Sequence, residues 1–392
     1  YWDQSLPFAS FNKENTNSNS SNSDNFQYIS TTNSQNNYIA ADNRTNTRRN
    51  NVSKHSSAID NPYNLGVIFS EEDLNRLLMP KSSSVPSDSS TFSVTDPVTE
   101  LLSPSEDVSG HGTHIAGICS GNGRASNGNS QGVAPESSLI VVKLKNETAS
   151  VYTDYANLMM AVRFANSRSL PLSINISYGS NDGSHTGSSL LELFMEQVSL
   201  YGKNVICAAT GNEGLTRRHA SLNTISNQNT YDKSIDFTIA PGERSLYLEI
   251  WQTFADDFFY ELFSPSGLES FVFPAVPGIY AYMIADTTIY LTINNPTPYQ
   301  PFRQYFLSFS SNTTFITSGT WALHIESTPT GKIVDGRLQF WLPSKEATNS
   351  ATGFLVPSSD MTFTIPSTAS SVISVSGYDS SLDVFAPFSG QG

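Results

Sequence analysis

Three short stretches carry the residue types that chemistry needs. In Gly110-His111-Gly112-Thr113-His114-Ile115-Ala116-Gly117-Ile118 an imidazole stands between two glycines, and histidine is the side chain that exchanges protons near neutral pH. In Thr210-Gly211-Asn212-Glu213-Gly214 a carboxamide, with two N–H groups to donate, is flanked by glycine and acid. In Ser177-Tyr178-Gly179-Ser180-Asn181 the side chains are mostly small and polar. Each stretch also has a plain structural reading. His111 can be a histidine that opens a helix, Asn212 a turn residue tolerant of such loops, and Ser177, Tyr178 and Gly179 an ordinary strand end.

The elements around these stretches bring them to one edge. Ile115, Ile118 and Cys119 lie at i, i+3 and i+4, which predicts a helix from His111 with one buried face. Leu139-Ile140-Val141-Val142 is a continuous apolar run, the pattern of a strand buried on both faces. Leu158, Ala161, Val162 and Ala165 then follow helical spacing, and Leu172, Ile174 and Ile176 alternate as a strand. Leu190, Leu191, Phe194, Met195 and Val198 make a second helical face, closed by Gly202, before an apolar strand at 205–209. The order β-α-β-α-β implies parallel strands joined by crossovers. A helix packed on such a sheet runs against its strands, so His111 falls near their carboxyl ends. The loops at 177–181 and 210–214 leave from those same ends, where open parallel sheets bind ligands.

The rest of the chain changes character. Residues 12–60 are rich in Asn, Ser and Thr with almost no apolar periodicity, and are expected to form a flexible insertion. Residues 230–342 switch to period two, as in Ile235/Phe237/Ile239 and Leu246/Leu248/Ile250, with turns such as Ser264-Pro265-Ser266-Gly267 between runs. That pattern predicts an inserted antiparallel β-sandwich. Ser371-Val372-Ile373-Ser374-Val375 then returns as a strand of the first domain.

Composition narrows the function classes. The chain has 392 residues, enough for two or three domains, with 21 basic and 35 acidic side chains and a formal net charge of −14. Such a surface repels phosphates, so no nucleic-acid partner is expected. No apolar run approaches the roughly 18 residues of a spanning helix. Two cysteines, Cys119 and Cys207, offer no disulfide framework and no cysteine-rich zinc site. His55, His185, His219 and His324 show no metal-ligand spacing, and no dense carboxylate loop suits calcium, so neither cofactor nor metal is expected. The chain opens on Tyr1 and closes on Phe388-Ser389-Gly390-Gln391-Gly392, and is read as a fragment.

The His111 stretch resembles the histidine motif of the subtilisin-like serine proteases. Gly211-Asn212-Glu213-Gly214 resembles their oxyanion-asparagine segment, and Ser173-Ile174-Asn175-Ile176-Ser177-Tyr178-Gly179 the strand lining their first specificity pocket. Trp2-Asp3-Gln4, the stretch from Gly66 to Asn75, and a sandwich where that group carries a jelly roll are similar to the clostridial germination-protease branch. The resemblance implies an α/β, three-layer fold with a central parallel sheet, interrupted by an antiparallel β-sandwich (jelly roll). Its parts would be residues 1–229 and 343–392 for the catalytic domain and 230–342 for the insertion. It further implies an aspartate–histidine–serine relay acting on protein or peptide substrates. In that relay His111 moves the proton, Asn212 donates to the oxyanion, and Ser177, Tyr178 and Gly179 line the substrate cleft. A pro-segment or a related subtilase is the implied partner, and a spore-associated or extracytoplasmic setting in a Gram-positive bacterium the implied location.

The pattern departs from the family in three places. No Asp-(Thr/Ser)-Gly precedes His111, and Asp107 is too close to it to substitute. No Gly-Thr-Ser nucleophile motif is present, since Gly319-Thr320 is followed by Trp321. Tyr178 stands where Leu is common. The 392 residues alone are therefore expected to hydrolyse no peptide. The alternative is a pseudoprotease that acts as a scaffold or signalling adaptor, a form the same branch contains.

Overall fold

The structure, a computed structural model, describes residues 26–31, 67–69, 71, 74, 75, 107, 109–144, 151–167, 170–200, 202–223, 232–311, 314–328 and 333–392. Trp2-Asp3-Gln4, Gly66 and most of the Asn/Ser-rich stretch lie outside them. The chain divides into two compact units, residues 1–167 and 168–392.

The first unit contains β1 (Phe26–Thr31), β2 (Val67–Phe69), α1 (His111–Ser120), β3 (Leu139–Leu144) and α2 (Val151–Asn166). Its sheet has the order β2-β1-β3, with β1 antiparallel to β2 and parallel to β3. β1 corrects the expectation of an unstructured insertion at this point. Its sequence, Phe-Gln-Tyr-Ile-Ser-Thr, is rich in aromatic and β-branched residues, but it is short and embedded in polar surroundings that mask it. α2 forms as its spacing predicts, burying Tyr155, Leu158, Ala161, Val162 and Phe164. α1 forms too, but without the expected buried face. Ile115 and Cys119 are half-buried and Ile118 is exposed. Glycines, Ala116 and Thr113 fill the rest of this helix, so it brings little apolar surface to β3, against which it packs. β3 is accordingly half-buried along its length instead of fully enclosed.

The second unit begins with β4 (Leu172–Ile176), α3 (Leu190–Ser199), β5 (Asn204–Ala209), β6 (His219–Asn223) and β7 (Asp232–Ile239). It continues with β8 (Ser245–Thr253), β9 (Phe258–Phe263), β10 (Ser270–Val272), β11 (Gly278–Ile284) and β12 (Thr287–Ile293). β13 (Phe302–Ser311), β14 (Gly319–Ser327), β15 (Arg337–Trp341) and β16 (Gly353–Phe354) follow, then β17 (Ile373–Val375) and a hairpin of β18 (Tyr378–Asp379) and β19 (Val384–Phe385).

β4, β5 and β17 form a parallel sheet in the order β17-β5-β4, with Leu172 opposite Asn204 and Ile373 opposite Cys207. α3 packs on β5 through Leu191, Met195 and Val198, while Leu190, included in the predicted face, points to solvent at the first turn. Its start is a capping box. The Ser189 hydroxyl accepts the Glu192 N–H at 3.2 Å, and the Glu192 carboxylate accepts the Ser189 N–H at 2.9 Å.

The period-two region forms two antiparallel sheets, β10-β9-β14-β7-β16 and β11-β12-β13-β8-β15-β6. Alternation directs Phe237, Ile239, Trp321, Leu323 and Ile325 of one sheet and Leu248, Ile250, Leu291, Leu307 and Phe309 of the other into one core. Phe309 meets both Phe237 and Trp321 edge-on, at centroid distances of 6.1 and 5.5 Å, a favourable aromatic geometry. The sheets draw one strand from either side of residues 230–342, β6 before and β16 after.

Candidate functional site

His111 is the first residue of α1 and is exposed. Gly110 before it takes a left-handed φ of 74°, which glycine adopts without steric cost. The helix end is held by Asp107. Its carboxylate accepts the Gly110 N–H at 3.0 Å, the Thr113 N–H at 2.8 Å and the Thr113 hydroxyl at 2.7 Å. An acid in this position satisfies otherwise orphaned N–H groups and faces the positive end of the helix. Partial burial pushes the Asp107 carboxyl upward, but the hydrogen bonds from Thr113, Gly110 and Ser109 outweigh it and hold the group below its ordinary value. Asp107 is thus a capping group that orients the His111 turn. The polar pattern Asp107-x-Ser109…Thr113 was the sequence signal for it. His114, one turn on, is also exposed.

Within the second unit, two of the predicted stretches come together. β4 and β5 are parallel neighbours, with Ile176 opposite Ala208, so Ser177, Tyr178 and Gly179 leave one strand beside Thr210, Gly211 and Asn212 leaving the other. Ser177, Tyr178 and Gly179 are half-buried and Asn212 is exposed. The segment around Thr364 ties the two ends. Thr364 N–H donates to the Thr210 carbonyl at 3.1 Å, and Ile365 and Ser180 exchange backbone hydrogen bonds of 2.9 and 3.1 Å. A Cβ on Gly179 would stand 2.1 Å from Thr364 Oγ1, and one on Gly211, whose φ is +86°, 2.5 Å from Thr364 Cγ2. Both positions therefore require glycine. Thr364 itself is buried, and its hydroxyl has no hydrogen-bond partner among the described residues. Sequence reasoning missed this residue, since nothing local marks it.

The Asn212 loop is pinned from its other side by the last residues of the chain. Gly214 N–H donates to the Phe388 carbonyl at 3.0 Å and Gly390 N–H to the Gly211 carbonyl at 3.1 Å. The Asn212 side chain points outward, its Nδ2 3.5 Å from Glu346 Oε1. Glu213 beside it is buried and accepts the Thr216 hydroxyl at 2.7 Å and the Lys345 N–H at 3.2 Å. Burial raises its carboxyl above the ordinary value, against the pull of those two bonds.

The loop that follows Gly179 is anchored on the six-stranded sheet. Glu249 of β8, fully buried, accepts the Gly183 N–H at 3.1 Å, the Trp251 indole N–H at 2.7 Å and a Gln304 amide N–H at 3.1 Å. Burial, then the charge of Asp182 and the hydrogen bond between the two carboxyls, push Glu249 well above its ordinary value. His185 stacks on Trp341 at 4.3 Å, and Trp341 stacks on His219 at 4.9 Å. Burial lowers both imidazoles to about 4, although hydrogen-bonding neighbours pull each the other way. Cys119 and Cys207 are free and half-buried. Among the described residues, the group suited to a metal is Asp232, His324 and Glu326 on the double sheet.

Comparisons with known proteins agree with this architecture. The model of the subtilase family matches residues 29–240. A subtilisin from Bacillus sp. (strain TA39) is 35% identical over 109 residues, which are 28% of this chain and 25% of that protein. The structure of the Clostridium perfringens CspB protease superposes with a TM-score of 0.66 at 29% identity, over 83% of this chain and 64% of that one. The chain thus spans a quarter of the subtilisin and under two thirds of the CspB protein.

Proposed function

The chain belongs to the subtilase family, and on that premise we propose that it serves in a serine endopeptidase that hydrolyses peptide bonds through an aspartate–histidine–serine relay. His111 takes the proton of the serine hydroxyl as that oxygen attacks the carbonyl, and returns it to the leaving amine. Asn212 Nδ2 donates to the oxygen that becomes negative in the tetrahedral intermediate. Ser177, Tyr178 and Gly179 form a wall of the substrate cleft, with Thr364 holding that wall against the Asn212 loop. The aspartate and serine are not among recognisable motifs of these 392 residues, so the chain by itself is inert as a peptidase.

The observation that carries the reading is the placement of Asn212. It stands exposed at the carboxyl end of a parallel strand, beside the cleft-lining stretch, in a loop fixed through backbone hydrogen bonds on both sides. An oxyanion donor acts by being held in place before charge develops. Residues 230–342 are read as the jelly-roll insertion between catalytic parts 1–229 and 343–392, and a pro-segment or related subtilase as the partner. The test is a peptidase assay on the full product of the gene, with and without His111→Ala. Activity lost in the variant supports the reading. A full product that folds but shows no His111-dependent hydrolysis overturns it in favour of the scaffold or adaptor.

A further inference from the structure

We propose that the solvent face of the five-stranded sheet carries a binding site for a divalent metal ion of the zinc, cobalt or nickel class, formed by Asp232, His324 and Glu326. His324 and Glu326 lie two residues apart on β14, so the pleat sends both to the same face. Their neighbours Leu323 and Ile325 are fully buried on the opposite face. Asp232 of β7 stands directly opposite Glu326 in the antiparallel register. The three side chains thus converge by backbone geometry. Their donor atoms all lie within 4.8 Å of one another, with His324 Nε2 2.7 Å from Asp232 Oδ1 and His324 Nδ1 3.6 Å from Glu326 Oε1.

β14 is an interior strand, paired with β7 on one side and β9 on the other, so the backbone under the site is held at both edges. The register also places Glu261 of β9 opposite His324, which makes three carboxylates around one imidazole. A dication offsets that excess of negative charge, and water completes its shell on the exposed side. An imidazole nitrogen with carboxylate oxygens suits zinc, cobalt or nickel. Asp232 stands at Nε2 and Glu326 nearer Nδ1, so the ion takes one ring nitrogen with the nearer carboxylate, and a side-chain rotation brings in the other. Calcium requires six to eight oxygens, far more than the group offers. Asp232 and His324 are 92 residues apart in the chain, so an ion between them fastens β7 to β14. No local spacing reveals this, apart from the His-x-Glu of β14.

The test is calorimetric titration of the metal-stripped chain with zinc chloride and cobalt chloride, paired with thermal unfolding. Expected is one equivalent bound, with affinity falling at least tenfold in His324→Ala and in Asp232→Asn. The same ion raises the melting temperature by a few degrees in the native chain and not in either variant. His111→Ala/His114→Ala, which removes the two exposed imidazoles of α1, leaves binding intact. Circular dichroism in chelator verifies that each variant is folded, and Asp232→Asn serves if His324→Ala is not. Equal affinity of native chain and variants overturns the proposal, as does binding that disappears with His111 and His114. Calcium binding as tight as zinc, and indifferent to His324, also overturns it.

Discussion

The edge strand β17 of the parallel sheet and the interior strands of the antiparallel sheets use similar apolar residues and bury them very differently, while Ile176 of β4 and Ile206 of β5 are as buried as the double-sheet core. Leu248, Ile250, Leu291, Leu307 and Leu323 of the antiparallel sheets are 0% exposed, whereas Ile373 and Val375 of β17 are 54% and 52% exposed. Of the residues proposed for chemistry, Ser177, Tyr178, Gly179 and Asn212 by contrast sit on exposed or half-buried loops of the second unit. Those loops are positioned by backbone hydrogen bonds and by glycines that nearly touch Thr364. Within the second unit, the deepest burial and the proposed loop residues thus lie in different parts. Loops carry chemistry well when a rigid scaffold holds them.

The strongest way to break this contrast is to cut into the double sheet. Trp321→Ala empties a site that is 0% exposed and should cost about 3–5 kcal/mol, while Ile373→Ala in β17 should cost under about 1 kcal/mol. Denaturant unfolding of both variants decides it, and equal losses would refute the contrast. Next in size is Asn212→Ala in the full gene product. It should lower turnover roughly 100- to 1,000-fold, a figure carried over from the oxyanion asparagine of a subtilisin, with the melting temperature unchanged. A collapse in stability would mean Asn212 is structural.

Glu249 joins the two regions, since it anchors the loop after Gly179 to the sheet. Glu249→Ala strands three N–H donors and should cost about 3 kcal/mol. Glu249→Gln keeps an oxygen in place and should cost much less. Thermal unfolding of the pair at neutral pH distinguishes them.

The same junction makes stability depend on pH. His185 and His219 fall to about 4 in the folded protein from an ordinary 6.5, so the unfolded chain binds protons first. Their contribution is complete above pH 6.5 and disappears as pH falls towards 4, at about 2 kcal/mol each by pH 5. Glu249 works the other way. Its raised carboxyl stabilises at low pH and loses that effect as pH climbs above its ordinary 4.5. In a Glu249→Gln background the melting temperature should therefore drop clearly between pH 7 and 5. A flat profile would contradict the buried neutral histidines. A small effect is also expected at Asp107→Ala, about 1 kcal/mol from a lost cap. It should be seen as faster hydrogen exchange at the Gly110 and Thr113 amides.

Much of this molecule follows from local pattern. Helical spacing at Leu158, Ala161 and Val162, alternation at Leu172, Ile174 and Ile176, and the period-two runs from Ile235 onward each gave the right element, because the pleat and the helical turn fix which side chains share a face. A strand within residues 371–375 was legible in the same way, though not its place beside β5. β1 was not, because six favourable residues in a polar stretch give too short a signal. Nor was the thin packing of α1, which depends on what lies against it.

The sequence by itself determined most of the elements and the two loops that bear Asn212 and Ser177–Gly179, since a few neighbouring residues suffice to encode them. Only the tertiary structure decided that Thr364 lies between Gly179 and Gly211, that Glu249 anchors Gly183, and that Asp232 reaches His324. Each of these joins distant segments through strand order and register, and no local window of the chain contains both partners.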